Sequence, residues 1–104
     1  MRPKPMQPSD SSIPAVRHAS AAQRFEIVLD DHRSELAYVL DGERVVFTHT
    51  FVPPELRGRG VAEQLARTAL DWARQERKGV VPACSYVARF IERHPEYRDL
   101  LAGG

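Results

Sequence analysis

Cysteine is nearly absent from this chain. Cys84 is the single one in 104 residues, so no intramolecular disulfide can form. A lone free thiol fits a reducing compartment, and the cytoplasm is the expected location. Long apolar runs are missing too. None approaches the roughly 20 residues that a helix needs to cross a bilayer. The opening "MRPKPMQPSDSSIP" has no apolar stretch of the kind that directs secretion, so no membrane partner is expected. An excess of one charge sign is also lacking, since the net charge is +1. Residues 1–20 carry Arg2, Lys4 and Arg17 against Asp10, and the remainder carries 12 basic and 13 acidic groups. Nucleic-acid binders concentrate basic charge, so no nucleic-acid partner is expected. Any anion site in the folded part must be local, built from backbone amides and one or two arginines. The histidines and the cysteine lack metal-ligand spacing, and no metal is expected. Internal repeats are absent.

What is present suits one domain. Hydrophobic residues make up 42% and charged residues 28%, an ordinary globular balance at a length too short for two domains. The first 14 to 20 residues are rich in proline and serine, which bury too little apolar surface to offset ordering entropy. Residues 1–20 are therefore expected to form a disordered tail, and residues 21–104 the domain.

From Gln23 the pattern changes. In "RFEIVLD", Phe25, Ile27 and Leu29 alternate with polar residues, which predicts a strand. "DDHR" turns the chain. "SELAYVL" predicts a second strand with Leu36, Tyr38 and Leu40 on one face. Asp41-Gly42 marks a tight turn, and the β-branched and aromatic "RVVFTHTFV" predicts a third strand, closed by Pro53-Pro54. Helical spacing then takes over. Val61, Leu65, Ala69, Trp72 and Ala73 form a stripe that Ala62, Ala66 and Leu70 widen. This helix is expected to run to about Arg77 and stop at Gly79. "VVPAC" predicts a short strand. "SYVARFIERH" predicts a second helix with Val87, Phe90 and Ile91 inward, and "EYRDLLAGG" a final turn. A strand–helix–strand crossover is normally right-handed and makes its strands parallel. The expected fold is α+β: a mixed sheet, an antiparallel meander plus a parallel strand, with two main helices.

The stretch "VPPELRGRGVAEQLA" sits between the third strand and the first helix. The first amides of a helix have no intrahelical acceptor, and the helix dipole makes that end electropositive. Glycine lets an oxyanion approach the backbone unobstructed. The amides of Gly58 to Ala62 can form a nest for a diphosphate, with Arg57 and Arg59 adding positive charge. A flexible connection with solvated arginines accounts for the same residues. The stretch is neither a P-loop, since no "GKS" or "GKT" follows, nor G-x-G-x-x-G. No aromatics interleave "RGRG" as an RNA-binding element would require.

"RGRGVA" resembles the Arg/Gln-x-x-Gly-x-Gly/Ala motif of the GCN5-related N-acetyltransferases. The wider "FTHTFVPPELRGRGVAEQLARTAL" resembles that family's central strand, acyl-CoA loop and helix. "VPACSYVARFIERHPEY" is similar to the closing strand and helix of its very small single-domain branch. The resemblance covers residues 24 to 101. It implies acetyl-CoA as cosubstrate, with the diphosphate held by Arg57, Gly58, Arg59, Gly60, Val61 and Ala62. It implies that the pantetheine arm bonds the strand edge at Thr50, Phe51 and Val52. That strand and the one ending at Cys84 are expected to splay around the thioester. The implied activity is N-acetyl transfer to an amine acceptor, such as a protein amine or a polyamine. The alternative is a CoA-binding module without efficient catalysis.

Attack of an amine on a thioester needs a base, an oxyanion donor and an acid for the leaving thiolate. Ordinary members place a tyrosine acid where this chain has Ile91, which has no proton to give. Tyr86 and Tyr97 are near in sequence but off that position. Cys84, at the start of the second helix, is the next candidate, as proton donor or transient acetyl acceptor. A small buried apolar side chain is its plain structural reading. His49 is a candidate base, with the direction of its side chain left open. Glu55 reads as an exposed loop acid and His94 as a helix terminus. His18 and His32 receive no role, and Trp72 reads as core. Only "DDHRS" joins the first two strands, where larger relatives insert helices that help form the acceptor groove. The acceptor side should therefore be open.

Overall fold

The computed structural model describes residues 13–102. Five strands lie in the order β1 (Arg17–Ala19), β2 (Arg24–Leu29), β3 (His32–Asp41), β4 (Arg44–Phe51) and β5 (Gly79–Pro82). The first four are antiparallel neighbours, and β5 runs parallel to β4. Helices α1 (Val61–Gln75) and α2 (Ser85–Arg93) complete the α+β fold. The expected architecture is correct, and the tertiary pairing adds that β4 and β5 are adjacent. The tail expected through residue 20 needs correction. Arg17–Ala19 pairs with β2, and Ser20–Ala22 makes a 3-10 turn. Ile13 and Val16 pack on the core. The stretch is short and polar, so alternation alone did not reveal it; pairing with β2 supplies the backbone hydrogen bonds. Residues 1–12 lie outside the described residues.

Turn chemistry sets the hairpins. Leu29 pairs with His32, so Asp30 and Asp31 form a two-residue loop, both with positive φ. This is the backbone that short acidic residues tolerate. Gly42, φ +61°, serves the β3–β4 hairpin.

One face of the sheet is covered and carries the core. Phe25, Ile27, Leu36, Tyr38, Val45, Phe47 and Val80 lie under Val61, Leu65, Ala69 and Ala73 of α1 and Val87, Phe90 and Ile91 of α2. Leu40, expected with Leu36 and Tyr38, remains half exposed beside the Gly42 turn. Helix α1 stops at Gln75, two residues before the expected end. Arg77 takes the left-handed position (φ +58°), and the Lys78 amide donates to the Ala73 carbonyl at 2.9 Å. That bond is the Schellman closure. Gly79 instead opens β5, where a Cβ would sit 3.1 Å from the Ala102 Cβ. Close packing against Ala102, not a turn, favours that glycine. The final 3-10 turn, Pro95–Leu100, is tied to α1 by Arg74–Asp99 and Tyr97–Asp71.

Candidate functional site

After Phe51 the chain turns through Pro53 into a 3-10 turn, Pro54–Leu56, whose Leu56 side chain is buried. That anchor leaves the next residues outside. Gly58 (φ +80°) and Gly60 (φ +82°) adopt left-handed backbone, and a Cβ at either would meet nothing within 4 Å. The glycines are needed for conformation, and the space over them is open. Gly60 is the N-cap of α1 and supplies no side-chain cap. The first helical bond runs from the Gln64 amide to the Gly60 carbonyl at 3.1 Å. The amides of Val61, Ala62 and Glu63 therefore have no intrahelical acceptor.

A cleft of about 240 Å³ opens over this turn. Of the residues expected to hold the cofactor, Val52, Arg57, Gly58, Gly60, Val61 and Ala62 line it. Leu56, Glu63 and Tyr86 line it as well, and sequence reasoning missed them for this role. Tyr86 carried the readable signal, standing in the first turn of the helix that follows Cys84. Arg59, Thr50 and Phe51 do not line the cleft. The Arg59 guanidinium lies 3.4 Å from Asp30. Phe51, partly exposed, lies on the uncovered sheet face. The Arg57 Nε donates to the Val52 carbonyl at 2.9 Å, which takes up one acceptor of that strand edge.

Strand β5 ends before β4 does. Their pairing runs from Arg44–Gly79 to Phe47–Pro82 and stops, while β4 continues to Phe51. The Cys84 amide makes the last link, donating to the Phe47 carbonyl at 2.9 Å. At the fork the Thr50 hydroxyl and the Cys84 thiol lie 3.1 Å apart, both partly buried. Cys84 is the N-cap of α2, and its carbonyl accepts the Ala88 amide at 3.1 Å.

A bulge on β4 decides where the neighbours point. Ala37 pairs with His49 but Tyr38 with Phe47, so Thr48 is an extra residue. An inserted residue reverses the alternation beyond it. Thr50 thereby joins Phe47 on the covered face, and His49 lies on the other. There its Nε2 is 3.5 Å from a Glu35 oxygen. The structure does not bring His49 to Cys84.

The remaining candidates separate cleanly. Ile91 is buried in the core. The Tyr97 hydroxyl donates to Asp71 at 2.8 Å, away from the cleft. Tyr86 faces the cleft, and burial, helped by the Glu63 charge, pushes its phenol above the usual range. His94 Nδ1 bonds the Phe90 carbonyl at 2.8 Å, as a helix-end residue does. Glu55 is exposed and pairs with His32 at 3.5 Å. Trp72, partly buried, packs edge-on to Phe25 against the core. Among the described residues no three His, Cys, Asp or Glu side chains cluster as metal ligands, and no helix is long and apolar enough to cross a membrane.

Residues 24–100 match the family model described as GCN5-related N-acetyl-transferase. Protein NATD1 of Bos taurus is 35% identical over 83 residues, which cover 77% of this chain and 74% of that protein. Protein NATD1 of Homo sapiens is 34% identical over the same length, with the same two shares covered. The NMR solution structure of a GCN5-like protein from Staphylococcus aureus superposes with a TM-score of 0.68 at 25% identity, covering 86% of this chain and 88% of that one. Fold, cleft and sequence agree: the chain belongs to the GCN5-related N-acetyltransferase family.

Proposed function

We propose that the protein is an acetyl-CoA-dependent N-acetyltransferase. The observation that carries this reading is the continuity of two features. Unsatisfied amides and open glycines begin α1 at one end of the site, and β4 and β5 fork at the other. The fit to CoA is chemical. A diphosphate is held by exposed first-turn amides and the helix dipole, and Arg57, which lines the cleft, offsets part of its charge. An extended amide-bearing arm suits a strand edge whose partner has turned away at Thr50 to Val52. Acetyl-CoA supplies an activated acyl group, and the chain's residues position it and manage protons.

Cys84 Sγ, held by the Thr50 hydroxyl, stands at the fork as the proton donor to a departing thiolate. Tyr86 keeps its phenolic proton beside the same cleft. On the far side of the sheet, His49, 3.5 Å from Glu35, takes a proton from an amine arriving across the uncovered face. No helical wall intervenes there, since Asp30 and Asp31 alone join β2 to β3. The acceptor site is therefore open to a bulky amine, such as a protein amine or a polyamine. The cytoplasm, the reducing compartment that suits the free Cys84 thiol, is the proposed location.

The test is acetyl transfer to an amine panel by wild type and Cys84→Ala, beside a titration with acetyl-CoA followed by backbone amide NMR. Shifts are expected at residues 57–64 and 50–52, together with turnover that Cys84→Ala depresses. One observation favours a second reading: the position of the family's tyrosine acid is a core isoleucine. Binding without turnover of any amine would establish a CoA-binding module instead.

A further inference from the structure

A second, smaller hollow adjoins the cleft. It measures about 130 Å³ and is lined by Glu63, Tyr86, Arg89, Phe90, Arg93 and His94. Glu63 and Tyr86 line both spaces, so the two are neighbours. At this size it suits a chemical group, since drug-sized ligands occupy roughly 300 Å³ or more. Arg89 and Arg93 stand four residues apart and so share one face of α2. Most other arginines are engaged: Arg24 with Glu26, Arg59 with Asp30, Arg67 with Glu63, Arg74 with Asp99. Among the described residues, neither Arg89 nor Arg93 has a carboxylate within 4.0 Å, although both are exposed. The one carboxylate of the hollow, Glu63, lies 3.4 Å from Arg67, which offsets only part of its charge. Two such guanidiniums lining one small hollow suit an anion, and their planar forks match phosphate oxygens.

We infer that this hollow receives a phosphomonoester carried by the same ligand whose diphosphate lies on the glycine turn, and that Arg89 and Arg93 read it. In CoA that group is the 3′-phosphate of the nucleotide end. The inference rests on the reading of the adjoining cleft as a CoA site. It makes the hollow the element that distinguishes CoA from its 3′-dephospho form. A phosphomonoester carries about −1.5 to −2 charge at neutral pH, which two guanidiniums balance.

The experiment is calorimetric titration of the full chain with CoA and with 3′-dephospho-CoA at low and moderate salt, repeated on Arg89→Gln/Arg93→Gln. Wild type should prefer CoA about tenfold, and more at low salt. The double variant should bring that preference to about twofold and leave the affinity for 3′-dephospho-CoA unchanged. Both side chains are exposed, and amide spectra of the variant check its fold. Arg93→Lys, which keeps the charge, should retain part of the preference. Equal affinity of wild type for the two ligands would overturn the assignment of the hollow, as would equal weakening of both in the double variant. Either result leaves the diphosphate site standing. Binding of neither ligand would remove the diphosphate site and this assignment together.

Discussion

The Thr50 hydroxyl and the Cys84 thiol lie 3.1 Å apart although 34 residues separate them. Their meeting follows from the bulge at Thr48, which turns Thr50 to the covered face, and from the Cys84 amide bond to Phe47 that ends β5. Thr50→Val keeps the shape and removes the hydroxyl. On the proposed mechanism it should lower kcat about tenfold, and Cys84→Ala by about a hundredfold or more, with acetyl-CoA affinity within about twofold in both. Steady-state kinetics beside calorimetry separates the two quantities. Loss of affinity at unchanged kcat would remove Cys84 from the chemistry.

Gly60 needs left-handed backbone, φ +82°, with no neighbour in the way. Gly60→Ala should therefore destabilise through strain alone, by about 1–2 kcal/mol. Urea unfolding measures it. A variant as stable as wild type would show that the turn relaxes freely.

Leu65 is fully buried beneath the sheet. Leu65→Ala should cost about 2–5 kcal/mol through lost burial and the cavity left. By contrast, Arg74→Ala removes an exposed pair with Asp99 and should lower stability far less. Chemical denaturation of the two variants should separate them clearly.

The His18 ring bonds the Tyr38 hydroxyl at 2.6 Å and stacks on Phe25. Burial lowers its pKa below the ordinary 6.5, against a smaller upward pull from Glu76. The unfolded chain therefore binds this proton more readily than the folded one. The contribution is fully present above about pH 6.5 and is lost as pH falls through the lower folded value. Unfolding midpoints at pH 7.5, 6.5 and 5.5 should decline, and His18→Phe should flatten that decline. Glu26, whose pKa is lowered first by the Arg24 hydrogen bond, titrates at more acid pH and does not confuse this window. An unchanged slope in the variant would assign the decline to other groups.

Glu63 lines the cleft and the adjoining hollow with a negative charge. Glu63→Gln should raise CoA affinity about two- to fivefold at low salt and less at high salt, because the carboxylate repels phosphates at both ends. Calorimetry at two ionic strengths checks it. Weaker binding would mean that the carboxylate's pairing with Arg67 organises the site.

Local chemistry settled much of this protein in advance. Alternation in "RFEIVLD", the helical stripe from Val61 to Ala73 and the glycines at 58 and 60 are short-range signals, and each stands where it was expected. So does most of the cleft, because a helix start and its preceding turn are contiguous in sequence. Long-range pairing settled the rest. Arg17, His18 and Ala19 carry no strand signal of their own and become a strand by bonding to β2. A single unpaired residue at Thr48 decides which face Thr50 and His49 occupy, and no pattern within β4 announces it. Tyr86 reaches the cleft only because β5 returns beside β4 and starts α2 at the fork. Composition and periodicity specify which backbone each segment prefers; which side chains meet depends on register, and register is fixed only when distant strands share hydrogen bonds and a core.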